Sequence, residues 1–61
     1  MTISKIQILL IEDNETDAIL VQNDLQLAMG DQISIFHAER LNTAFELIAQ
    51  YSFDLILSDL T

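Results

Sequence analysis

The sequence contains no cysteine and no proline, and its only glycine is Gly30. Without cysteine the fold has no disulfide staple, and nothing points to an oxidising compartment. One glycine cannot make a Gly-rich phosphate loop, which weakens a nucleotide-binding Rossmann reading. Positive charge is equally scarce. Lys5 and Arg40 stand against ten acids, for a net charge of −8. Nucleic-acid binding rests on neutralising phosphates with Lys and Arg, so that class is disfavoured. Cations and basic partner surfaces are favoured instead. Long apolar runs are missing too. Stretches such as Ile8 to Ile11 fall far short of the roughly 20 residues a membrane span needs. One lysine near the N-terminus and no small-residue cleavage site argue against a signal peptide. The expected setting is the cytoplasm, with no membrane contact.

What is present is an alternation of two periodicities. A chain of 61 residues permits one domain at most, and at this size only about 60% of the unfolded surface is buried on folding. Ile6-Gln7-Ile8-Leu9-Leu10-Ile11 is a β-branched and leucine run that predicts a strand buried on both faces. Glu12-Asp13-Asn14 breaks it. Asn14 is the expected helix N-cap, with Asp17 three residues on as a weak capping-box acid. From Glu15 to Met29, the residues Ala18, Val21, Leu25 and Ala28 recur at helical spacing, and Gly30 is the expected stop. Ile33 to Ala38 predicts a second strand of mixed polarity. Asn42 is the expected cap of a second helix running to about Gln50, with Leu41, Ala44, Leu47, Ile48 and Tyr51 as its apolar face. Asp54 to Asp59 predicts a third strand ending in an acid. Strand, helix, strand, helix, strand implies an α/β fold with parallel strands.

Polarity sets the expected strand order. The first and third strands read as central, and the second, with Ser34 and His37, reads as an edge. That gives 2-1-3, with right-handed crossovers placing the helices on opposite faces. The third strand then has no outer neighbour, and Leu55, Ile56 and Leu57 form an open apolar edge of a kind folded proteins avoid. The sheet is therefore expected to be incomplete.

Ligands of open α/β sheets bind beyond the carboxyl ends of the strands, where crossovers diverge. Order 2-1-3 brings Glu12 and Asp13, at the tip of the first strand, close to Asp59, at the tip of the third. Carboxylates on strands about 4.8 Å apart repel, so the cluster should hold a proton or attract a cation. Hard oxygen ligands with open positions suit Mg²⁺. Taken alone, each acid has a simpler use: Glu15 and Asp17 complement a helix dipole, and a strand-ending aspartate commonly forms a turn. Acids at two adjacent strand tips, with none inside the strands, favour a site. His37 reads as a structural or surface histidine, Met29 and Phe45 as helix packing, and Arg40 as a solvated loop residue.

Ile8-Leu9-Leu10-Ile11-Glu12-Asp13-Asn14 resembles the opening strand and acidic pair of response-regulator receiver domains in two-component signalling. Phe53-Asp54-Leu55-Ile56-Leu57-Ser58-Asp59-Leu60-Thr61 resembles their third strand and phosphoacceptor. Ala38 and Ala44 to Ile48 sit where the family has the alanine after strand two and its second helix, so the resemblance covers essentially residues 1–61. It implies half of a flavodoxin-like doubly wound sheet, with Asp59 the nucleophile that forms an aspartyl phosphate. It further implies Mg²⁺ bound by Asp13, by Glu12 directly or through water, by Asp59 and by the Thr61 backbone carbonyl. The implied phosphodonor is a sensor histidine kinase or a histidine phosphotransfer protein, and the chain is a phosphoacceptor rather than an enzyme.

The family's fourth-strand Ser or Thr and fifth-strand Lys would lie beyond Thr61, and Lys5 sits at the wrong end of the first strand to replace the latter. The expected object is thus a fragment of a receiver. One alternative is a non-catalytic interaction module that pairs with another chain through the open third strand. Another is a small Mg²⁺-dependent phosphohydrolase, although Asp59-Leu60-Thr61 lacks the second aspartate of the haloacid-dehalogenase pattern Asp-x-Asp-x-Thr.

Overall fold

The computed structural model describes residues 5–59. β1 (Ile6–Glu12) leads into α1 (Glu15–Met29), a single 3₁₀ turn (Gly30–Gln32), β2 (Ile33–Ala38), α2 (Leu41–Gln50) and β3 (Leu55–Asp59). The three strands are parallel and lie in the order β2-β1-β3, as the polarity of the strands predicts. No helix among the described residues is long and apolar enough to cross a membrane.

β1 is the centre of the molecule. Ile8, Leu9, Leu10 and Ile11 are buried, as a strand covered on both faces requires. Leu9 and Ile11 meet Ala38 of β2 and Ala44 of α2, with Phe36, Leu47 and Phe53 packed around them. By the two-residue period of a strand, Ile8, Leu10 and Ile33 take the other face, where Ala18 of α1 is buried. Both helices therefore approach the sheet at an alanine, which lets backbones come close. Phe36 and Phe53 pack edge to face with ring centroids 5.3 Å apart, and Tyr51 lies 4.9 Å from Phe36.

The helix ends show which local signals were used. Asn14 is extended and its side chain accepts the Asp17 amide at 3.1 Å, so the cap forms as expected. Asp17 does not complete a capping box: the Asn14 amide donates instead to Glu12 Oε1 at 2.9 Å. Gly30 stops α1 at φ +60°, with its N–H bonded to the Gln26 carbonyl. No atom lies within 4 Å of where a Cβ would stand, so glycine is needed there for its backbone conformation and not for space. The inward stripe of α1 passes from buried Ala18 through half-buried Val21 and Leu25 to Met29, leaving Ala28 exposed. A period of 3.6 residues carries Leu25 forward to Met29 better than to Ala28.

α2 departs further from expectation. It starts two residues earlier, with Arg40 at the N-cap and no side chain capping it, so Asn42 is not the cap. Of its expected apolar face, Ala44 and Leu47 turn inward, and Tyr51, though partly exposed, lies against Phe36. Leu41 and Ile48 are exposed, and Phe45, expected to pack, is 63% exposed. Leu41, Phe45 and Ile48 follow one another at i, i+4 and i+7, which makes a second apolar stripe beside the one that meets the sheet.

β3 starts at Leu55, and Asp54 acts as its anchor. The Asp54 amide donates to the Gln7 carbonyl at 2.8 Å, and the Gln7 amide donates to Asp54 Oδ2 at 2.8 Å. That two-bond ring pins the register Ile8↔Leu55 through Glu12↔Asp59. A slip by one residue would turn every β3 side chain to the other face.

Candidate functional site

Glu12 is the last residue of β1, inside the strand and not after it, and it is 2% exposed. Its register partner across the sheet is Asp59, the last residue of β3. Paired residues of parallel strands send their side chains to one face, so the two carboxylates stand side by side on the α1 side. Asp13 follows in the bend after β1 and is exposed.

The Glu12 carboxylate is held asymmetrically. Oε1 accepts the Asn14 amide, whereas Oε2 is buried and has no hydrogen-bond partner among the described residues. The Asn14 amide, the largest influence, favours the charged form and lowers the pKa. Burial, the Asp13 and Asp59 carboxyls against the side chain, and the Asp59 charge all favour the neutral form. Together they outweigh the amide and raise Glu12 above the ordinary carboxylate value. An unpaired buried acceptor is costly, and a proton or a cation would relieve it.

The three acids are unequal. Glu12 and Asp59 are brought opposite one another, and Asp13 lies at the rim. Among the described residues no three His, Asp or Glu side chains are arranged to hold a metal ion together. Thr61, whose carbonyl the family resemblance implies as a ligand, lies outside the described residues. Glu15 and Asp17 occupy the first turn of α1, the dipole role expected of them. Arg40 is exposed at the start of α2. An open concavity of ≈ 500 Å³ lies at the opposite end of the sheet, lined by Lys5, Gln7, Ser34, Phe36 and Tyr51. None of the acids lines it.

His37 plays a part that sequence reasoning missed. Its Nε2 lies 2.8 Å from the Glu12 carbonyl. A carbonyl only accepts, so Nε2 carries the proton and donates. The register Leu10↔His37 puts His37 on the Glu12 face, and the bond itself has no signature in spacing. The Asn14 amide to Glu12 bond and the Asp54 anchor were equally invisible.

Comparison with protein-family models, curated proteins and solved structures found no match to this chain.

Proposed function

We propose that this chain carries the phosphoacceptor corner of a receiver-type signalling module, with Asp59 as the residue that takes the phosphoryl group. The observation that carries this reading is the pairing of Glu12 with Asp59 at the carboxyl ends of adjacent parallel strands, where one Glu12 oxygen is buried and has no partner among the described residues. An Asp59 carboxylate oxygen would attack phosphorus in an acyl phosphate or a phosphohistidine. The new bond is P–O to Asp59, and the bond to the donor's oxygen or nitrogen breaks with its electron pair leaving on the donor.

The chain's own part is to place a pair of carboxyl groups at a strand tip with a defined register. Asp59 is held by β3 pairing and by the Asp54 ring at the far end of that strand. Glu12 is held by the Asn14 amide. The orphaned Glu12 oxygen and Asp59 suit a hard divalent cation such as Mg²⁺, with Asp13 at the rim as a further oxygen donor. Such a cation would offset charge between an anionic nucleophile and an anionic phosphoryl group. The donors this reading implies are a sensor histidine kinase or a histidine phosphotransfer protein, whose phosphohistidine supplies the same group.

The test is incubation with acetyl phosphate and Mg²⁺, read by intact mass. One phosphoryl group should add to the wild type and none to Asp59→Asn, while Asp54→Asn should still be labelled. Labelling that persists in Asp59→Asn sinks the reading. A second reading is favoured by a separate observation: Leu55 and Ile56 on the unpaired edge strand β3 are 46% and 47% exposed. In that case the module works by pairing through β3, without phosphoryl chemistry.

A further inference from the structure

β1 is a strand whose outgoing end lacks a neighbour on one side. Gln7 turns both its amide and its carbonyl toward β3, where Asp54 receives them. Peptide groups alternate sides along a strand, so Glu12 turns its carbonyl the other way, toward β2. But β2 pairing ends at Ile11↔Ala38, and the chain then bends away through Glu39 and Arg40 into α2. No backbone N–H of β2 stands opposite Glu12. The imidazole of His37, one residue before the end of β2, fills that place with its Nε2–H at 2.8 Å.

The bond therefore ties down the Glu12–Asp13 peptide group, one of the two that flank the buried Glu12 side chain. Its carboxylate is fixed at one oxygen only, by the Asn14 amide. Without the imidazole, the Glu12 carbonyl would lose its partner on the β2 side, and the placement of the Glu12 carboxylate beside Asp59 would be less defined.

We infer that His37 is a positioning residue for a divalent-cation site at Glu12 and Asp59, acting through the Glu12 carbonyl and not as a ligand. The inference rests on the cation-binding part of the proposed function. Groups that orient a metal's ligands without touching it change affinity by about 10–100-fold when removed.

The experiment measures Mn²⁺ affinity of the whole chain by electron paramagnetic resonance, with the fold monitored by circular dichroism. Four proteins are compared: wild type, His37→Gln, which keeps an N–H donor at a similar reach, and His37→Phe and His37→Val, which keep none. Wild type should bind, His37→Gln should stay within about threefold of it, and the folded donor-less variants should be weaker by about 10–100-fold. Equal affinity in His37→Phe or His37→Val overturns the positioning role and leaves the site standing. A wild type that binds no Mn²⁺ overturns the site itself, and the positioning role with it. If both donor-less variants fail to fold while His37→Gln folds and binds, His37 belongs to the fold and the inference is wrong.

Discussion

Ile8, Leu9, Leu10 and Ile11 of β1 and Leu55, Ile56 and Leu57 of β3 are nearly interchangeable as side chains. Yet the four residues of β1 are buried, and Leu55 and Ile56 of β3 stand almost half exposed. Composition does not separate the two strands; position does. β1 has a neighbour on each edge and a helix over each face, whereas β3 has one neighbour. Hydrophobicity states what a strand requires, and topology decides whether it is supplied.

The sharpest way to break this comparison is to truncate one residue in each strand. Leu9→Ala removes a side chain with no exposed surface and should cost about 2–5 kcal/mol. A domain of this size has only a few kcal/mol in total, at about 0.05–0.15 kcal/mol per residue. Urea titration should therefore show the cooperative transition lost in Leu9→Ala. Ile56→Ala should cost about 1 kcal/mol or less, the scale of strand preference alone. Equal losses would mean that β3 is covered in solution after all.

A smaller effect is expected in assembly. An apolar strand with a free edge invites pairing, so the mass of the wild type in light scattering should rise with concentration. Ile56→Lys should hold it closer to the monomer, since a lysine on an edge strand opposes pairing. A wild type that stays monomeric at every concentration removes β3 as a contact surface.

The smallest effect concerns the one buried acid. Glu12 is raised above its ordinary pKa, so in the folded state it holds its proton more tightly than in the unfolded chain. Its contribution to stability is complete below the ordinary carboxylate range and is lost as pH rises through the raised value. Glu12→Gln, which keeps an acceptor for the Asn14 amide, should thus melt at a higher temperature than wild type at neutral pH. The gap should close on acidification. A gap that widens at low pH would reverse the assignment.

Much of this architecture could be read in advance, because it rests on strong periodic signals. The run Ile6 to Ile11, the stop at Gly30 and the mixed polarity of Ser34 and His37 were enough for the strand order. What was misread rests on geometry within one turn. Arg40 stands at the N-cap of α2 with no side-chain cap bond, so the true start of that helix carries no capping residue to announce it. Phe45 fits an apolar helix face by type, but only the sheet's extent decides which stripe of α2 is covered. At the site, the adjacency of Glu12 and Asp59 followed from the order 2-1-3. The burial of Glu12 within β1, its single amide partner and the imidazole on its carbonyl did not, because each depends on a bond between particular atoms.

The central place of β1 also has a consequence in time. Of the three strands it is synthesised before the other two and is the last to be fully paired, since β2 and then β3 must follow it. At about 5–20 residues per second on the ribosome, its most apolar stretch waits for seconds with at least one edge unpaired. Lys5 lies just before that stretch and Glu12-Asp13 at its end. Charges that flank an unavoidable hydrophobic strand act as gatekeepers against aggregation. The same carboxylates that frame the site would thus protect the nascent chain before any site exists.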